Sequence, residues 1–135
     1  MIQKLITLKT DKHNGLYDIT EEVRAIVNQS GYKTGMVNVY ARGSTCAIMI
    51  QENWDESVQI DVINLLKKLI PSGIWQHDLH DNNADAHLKS GLIGPSETIP
   101  IINGNLGLST WQNIFFCEFD GPRSRREVVV TIYGE

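Results

Sequence analysis

Residues 98–109 read TIPIINGNLGLS, two short apolar runs on either side of Asn103-Gly104. Asn-Gly is the dipeptide best suited to a type I′ turn, which needs positive φ at both central residues and matches the twist of paired strands. The spacing predicts a hairpin with strands over about 98–102 and 105–109. The same pattern extends along the chain in both directions. Downstream, residues 111–119 and 126–133 flank Asp120-Gly121-Pro122 and predict a second hairpin. Upstream, residues 36–41 and 45–51 are rich in β-branched and apolar residues and are separated by Gly43-Ser44. Residues 2–8 are strand-like and lead to the turn-prone Asn14-Gly15. Helices fill the gaps. Thr20 before Glu21 and Glu22 marks a start and Gly31 a stop, so 20–30 is predicted helical. Asp55 caps a second helix in which Val58, Val62, Leu65, Leu66 and Leu69 recur at helical spacing, with Lys67 and Lys68 in its last turn and Pro71 beyond. A short helix is expected near 84–92. Six or seven strands joined mostly by hairpins, with two or three flanking helices, predict an α+β fold with a largely antiparallel mixed sheet or sandwich.

The chain has 135 residues, 41% hydrophobic and 21% charged, with a formal charge of −4. That suits one domain over 1–135, burying roughly two-thirds of its unfolded surface. It is too apolar for a disordered chain. The mild negative charge argues against bulk nucleic-acid binding, which recruits Lys and Arg to phosphates. No apolar run approaches the ~20 residues of a membrane span, and Lys4 and Lys9 interrupt any signal-peptide core. Cys46 and Cys117 form no CxxC pair. A cytoplasmic protein is expected.

Chemistry-bearing residues concentrate in three places. His77-Asp78-Leu79-His80-Asp81-Asn82-Asn83-Ala84-Asp85-Ala86-His87 holds three of the four histidines and no Lys or Arg. Imidazole and carboxylate bind zinc, manganese or iron and also do acid/base work. If 84–92 is helical, Asp85 and His87 point to different sides; if extended, to the same side. The plain alternative is a solvated loop whose Asp and Asn side chains cap the next helix. Glu118 lies within an apolar run, and strand alternation places Thr110, Gln112, Ile114, Phe116 and Glu118 on one face. A half-buried carboxylate needs a partner or a task. An ion pair with Arg125 or Arg126 across the hairpin stands beside a site role. Arg123-Ser124-Arg125-Arg126 is a basic run whose guanidinium forks suit phosphate or carboxylate, or serve as plain surface. Gly43-Ser44-Thr45 offers backbone N–H groups and hydroxyls but lacks a P-loop lysine.

The second half resembles the YjbQ-like family, often labelled secondary thiamine-phosphate synthases. The residues that carry the resemblance are His77, the N-A-D-A-H-L-K block at 83–89, Leu92 to Gly94 with Ser96, and Pro100. They continue with Asn103-Gly104, Gly107, Thr110-Trp111-Gln112 and Glu118. The strand ending in Gln51-Glu52-Asn53 and the helix from Asp55 fit the same plan. The resemblance implies a mostly antiparallel β fold assembled as a homotrimer, with a polar pocket near the subunit interface. It further implies a reaction joining a pyrimidine pyrophosphate to a thiazole phosphate, with loss of pyrophosphate. Many members carry His-Thr-Ser/Thr-Ala where this sequence reads Gly43-Ser44-Thr45-Cys46, so no role of that histidine carries over.

The expected site is a pocket for a small phosphorylated ligand. His77 and His87 are acid/base groups or metal ligands there, and Asp85 orients them. Thr110, Gln112 and Glu118 form a polar wall; Arg123, Ser44 and Thr45 contact the anion. Departure of pyrophosphate implies a divalent cation such as magnesium, which prefers oxygen ligands, whereas the histidines suit zinc. A metal- or metabolite-binding protein without turnover is the alternative, and a structural trimer with a merely capping His/Asp loop is a third.

Overall fold

A computed structural model describes residues 1–135 throughout. In chain order the elements are β1 (Ile2–Thr10), β2 (Gly15–Asp18), α1 (Thr20–Ser30), β3 (Gly35–Ala41), β4 (Cys46–Gln51) and α2 (Glu56–Leu69). A single 3₁₀ turn (Gln76–Leu79) follows, then α3 (Ala84–Ile93), β5 (Ser96–Ile102), β6 (Asn105–Leu106), β7 (Asn113–Glu118) and β8 (Arg123–Gly134). Two antiparallel sheets form a curled half-barrel, one of five strands ordered β1-β8-β3-β5-β6 and one of three ordered β2-β7-β4. The expected α+β, mostly antiparallel architecture is what the chain adopts, but it is not hairpin-rich: only β5 and β6 pair as consecutive strands. The hairpin expected across Asp120-Gly121-Pro122 does not form, because β7 joins β2 and β4 in the small sheet while β8 joins β1 and β3 in the large one.

Local chemistry explains most boundaries. Asn103 and Gly104 take φ of 49° and 79°, the double positive a type I′ turn demands. Ile101 then faces Leu106 and Ile102 faces Asn105. Asp55 accepts from the Ser57 N–H at 2.8 Å and starts α2, and Gly31 closes α1 with φ of 72°. Thr20 does not cap α1. Ile19 precedes the helix, Asp18 accepts the Thr20 N–H at 2.9 Å, and the Thr20 hydroxyl accepts the Ile114 N–H at 2.8 Å. The threonine thus ties the helix start to β7. Strand β2 was not foreseen: four residues, Gly15–Asp18, have no alternation to read, and only pairing with β7 makes them a strand.

The core has two parts, divided by the small sheet. On one face of that sheet, Ile48, Ile114 and Phe116 pack with Val37, Val39, Ile99, Val128, Val130 and Ile132 of the large sheet and with Val23 and Val27 of α1. On its other face, Ala47, Phe115, Cys117 and Phe119 meet Leu66 of α2 and Ala86 of α3. Strand β7 is therefore covered on both faces, which accounts for its unbroken apolar run. Burial pushes the Cys117 thiol up to about 12, so it is inert as a nucleophile. The outer face of the large sheet carries no such cover. Leu5, Met36, Tyr40 and Tyr133 lie exposed there, and Leu5, Val129 and Tyr40 stand side by side in the strand register.

Candidate functional site

Three segments far apart in sequence converge on one cleft of about 500 Å³ with no apolar side chain in its lining. The β3–β4 loop supplies Arg42, Gly43, Ser44 and Thr45. The start of α3 supplies Asn83 and His87. Strand β8 supplies Arg123, Arg125, Arg126 and Glu127. Sheet pairing places them together: β3 and β8 are neighbours, with Ala41 opposite Val128, and Cys46 at the start of β4 faces Glu118 at the end of β7.

Below the cleft lies a buried ion pair. Glu118 is fully buried, and Arg126 is 5% exposed. The guanidinium grips the carboxylate with two bonds, Nε to Oε1 at 2.9 Å and Nη2 to Oε2. Thr10 donates to Oε1 at 2.7 Å and the Asp120 N–H donates to Oε2 at 3.0 Å. Burial pushes the Glu118 carboxyl up, but the hydrogen bonds from Arg126, Thr10 and Asp120 outweigh it and hold it below its usual value. The ion pair across the β7–β8 connection is thus realised with Arg126, and Glu118 does not line the cleft.

The remaining cations are held at the rim. Arg123 pairs with Asp120 at 3.0 Å, and Arg42 and Arg125 both reach Glu127, at 3.4 and 3.2 Å. Four arginines thus share three carboxylates, leaving positive charge in excess. Arg126 Nη2 also donates to Thr45 Oγ1 at 3.0 Å, whereas its Nη1 makes no hydrogen bond within the chain. The backbone N–H groups of Gly43 and Ser44 have no main-chain partner either. Free amides beside a guanidinium suit an anion. A Cβ at position 43 would stand 3.0 Å from Arg126 Nη1 and 2.7 Å from Cys46 Sγ. Gly43 therefore keeps that donor uncovered. If the cleft takes an anion, Gly43→Ala should weaken inorganic phosphate binding about tenfold, the worth of one charge-assisted hydrogen bond. Adding Cys46→Ala should restore thermal stability without restoring affinity; calorimetric titration beside a melting curve checks both.

The His/Asp segment divides along the helix. The rings of His77 and His87 meet edge to face at 5.1 Å, His80 lies 6.2 Å from His77, and His77 Nε2 is 3.5 Å from Asp81 Oδ2. His87 also lines a smaller pocket of about 350 Å³ with Trp75, Gln76, His77, Ala84 and Leu88, half of whose lining residues are apolar and whose exposed surface is mostly carbon. One imidazole is therefore shared between a polar and an apolar compartment. Asp85 turns the other way. Because 84–93 is helical, it faces away from His87 and pairs with the buried Lys89, Oδ2 to Nζ at 3.1 Å, so it orients neither His77 nor His87. Asp78 takes the capping role, accepting the Ala84 N–H at 3.0 Å, and that bond draws its carboxyl below the usual range.

Thr110 and Gln112 form no wall with Glu118. Strand β7 begins only at Asn113, so both lie in the preceding turn, where Gln112 accepts the Ser109 N–H at 3.0 Å. Gln112 is six residue steps from Glu118 along β7, about 20 Å of chain at ~3.4 Å per step, and Thr110 lies further back still. Ser44, Thr45 and Arg123 do line the cleft with His87, while His77 lines the apolar pocket next to it. Arg125 belongs to the basic run at 123–126, and Asn83 and Lys89 lie in the N-A-D-A-H-L-K block, but no individual role follows for either from the sequence; Arg42 was missed, and nothing local marks it.

The family model of UPF0047 YjbQ-like proteins matches residues 4–135. This chain belongs to that family. The YjbQ-like chain is 42% identical over 131 residues to a UPF0047 protein of Methanothermobacter thermautotrophicus, covering 96% of this chain and 90% of that one. It is 39% identical over 125 residues to YugU of Bacillus subtilis, covering 90% and 92%. Among solved structures, a YjbQ-like protein of unknown function from Sulfolobus solfataricus superposes with a TM-score of 0.96 at 38% identity, covering 99% and 97% of the two chains. A family member from Clostridium acetobutylicum superposes at 0.91 with 41% identity, covering 96% and 99%. No helix of the chain is long and apolar enough to cross a membrane.

Proposed function

We propose that the arginine cleft binds a small phosphorylated metabolite and that the apolar pocket behind His87 takes its organic part. The observation that carries this is the meeting of four arginines, two unpartnered amides and Arg126 Nη1 beside a compartment lined by Trp75 and Leu88. Such a division suits a ring joined to a phosphate or pyrophosphate. It is the arrangement that weak thiamine-phosphate synthase activity would need: the guanidinium groups stabilise the departing pyrophosphate, and the pocket positions the ring. His87, at the junction, is the group placed to move a proton. Calorimetric titration with inorganic pyrophosphate, and pyrophosphate release from the pyrimidine pyrophosphate and thiazole phosphate pair, test the two levels separately. Binding is expected, with turnover lost in His87→Ala. Absence of pyrophosphate binding at millimolar concentration would sink both.

A metal at His77 and His87 is the second reading, favoured by their 5.1 Å approach. Two imidazoles fall short of the three protein ligands of a catalytic zinc, and no third His, Cys, Asp or Glu of the chain joins them in an ion-holding group. Metal analysis of the wild type against His77→Ala and His87→Ala decides it, stoichiometric zinc lost in both being the supporting result.

The working particle is proposed to be a homotrimer through the uncovered large-sheet face, at whose edge Arg42, Arg125 and Glu127 of the cleft lie. Its exposed Leu5, Met36, Tyr40 and Tyr133 suit burial against a second copy. Light scattering is expected to give three times the 15.2 kDa chain mass, and Tyr40→Lys a smaller species. A wild-type monomer at micromolar concentration would count directly against the trimer.

A further inference from the structure

The cleft contains one group that its cations do not explain. Asn83 lines it, and the Asn83 Oδ1 is buried with no hydrogen-bond partner. It is the only buried side-chain polar atom in the protein left in that condition. The amide cannot relieve this by turning over. Its Nδ2 donates to Asp120 Oδ2 at 3.1 Å, and Arg123 Nη2 holds the same oxygen at 3.0 Å. An ionised carboxylate only accepts, so the NH₂ end of the amide must face Asp120 and the carbonyl end must face elsewhere. Arg123 fixes Asp120, Asp120 fixes Asn83, and a buried acceptor is left without a partner on a residue of the cleft wall.

We propose that Asn83 is a specificity residue whose Oδ1 accepts a hydrogen bond from the ligand, with Asp120 as its positioning residue. The ligand class is then an anion that carries its own donor: hydrogen phosphate, or a phosphate ester with a hydroxyl next to the phosphoryl group. An anion with no donor meets the Oδ1 lone pairs with its own oxygens. A buried polar group left unpaired in this way is how a site rejects an analogue of matching shape. Sulfate is that analogue. It has the size and tetrahedral shape of phosphate, but near neutral pH it bears no proton, whereas inorganic phosphate always does. The inference rests on the anion-site reading above and deepens it.

Calorimetric titration of the full chain with inorganic phosphate and with sulfate, at one near-neutral pH and equal ionic strength, tests it. The ratio of the two constants is read, so that effects common to both anions cancel. The wild type is expected to prefer phosphate by about tenfold or more. Asn83→Leu, of similar size without the acceptor, should bring the ratio to within about threefold while both anions still bind. Asn83→Ser, whose hydroxyl can donate as well as accept, should do the same and serves if the leucine variant fails to fold. A wild-type ratio near one, or a ratio unchanged in both variants, overturns the role of Asn83 and leaves the anion site standing. Failure of the wild type to bind either anion overturns both.

Discussion

Glu118→Gln is expected to lower stability by about 3–5 kcal/mol, the cost of leaving one partner of a buried ion pair without the other. The side chain is fully buried, and its four incoming hydrogen bonds come from Arg126, Thr10 and the Asp120 backbone. Glutamine keeps the shape and one acceptor, but turns an NH₂ group toward donors and strips Arg126 of its counter-charge. For a chain of this length the melting temperature should fall by on the order of 15 °C. Wild type and variant are compared at equal protein concentration, because any self-association makes apparent stability depend on it. The pH dependence has a definite sign. The folded pKa of Glu118 is depressed, so its contribution is present above the unfolded value, about pH 4.3, and is lost as pH falls through the folded value. The wild type should therefore lose stability on acidification below about pH 4 more steeply than Glu118→Gln. A variant that melts within a few degrees of the wild type would mean that the pair contributes little.

Lys89→Met is expected to be similarly costly, about 3–5 kcal/mol, because it leaves the Asp85 carboxylate buried without its cation. Lys89 is 2% exposed and Asp85 6%. The Lys89 ammonium also reaches Asn14 Oδ1 at 3.4 Å and lies over the Phe119 ring at 6.0 Å. These partners describe a structural pair. Asp85→Leu combined with Lys89→Met should then recover most of the loss, since a well-packed apolar pair can replace a buried ion pair at little cost. Phosphate affinity of the double variant should stay within about twofold of the wild type, because His87 and the arginine cleft lie across the helix. Unfolding by urea alongside calorimetric titration separates the two possibilities. A folded double variant that no longer binds phosphate would return Asp85 to the site.

Particular residues show how far the sequence reaches. Asn103-Gly104 named its own turn, because only such residues tolerate two successive positive φ values. Asp55 and Gly31 marked helix ends for equally local reasons. Thr20 misled: a hydroxyl before acidic residues resembles a cap, yet its best partner is the Ile114 N–H, 94 residues away. The run at 114–119 alternates as expected, Ile114 and Phe116 on one face and Phe115 and Cys117 on the other, but the strand does not reach back to Thr110 and Gln112, and both its faces are buried. Alternation assumes one wet face, and α2 and α3 cover the second. The one choice left open at Asp85 and His87 was settled by α3 being helical, which sends the carboxylate to Lys89 and the imidazole to the cleft.

Local sequence was enough for the Asn103-Gly104 turn, the helix ends, the α+β plan and the family, since each follows from short-range backbone preferences or from motifs in order; how the strands pair was not, because β7 and β8 follow one another in the chain yet join different sheets. Which charges meet was set by packing between distant segments. Glu118 and Arg126 lie eight residues apart on consecutive strands of two different sheets, and their burial depends on Thr10 and Thr45 from two other parts of the chain. The acidic His/Asp segment and the basic turn likewise gain their meaning from sheet pairing, which sets Asn83 against Asp120 and opens Arg126 Nη1 beside Gly43. Desolvation is the physical reason: a charge exposed on an isolated strand has no required partner, and it acquires one only when packing removes the water around it.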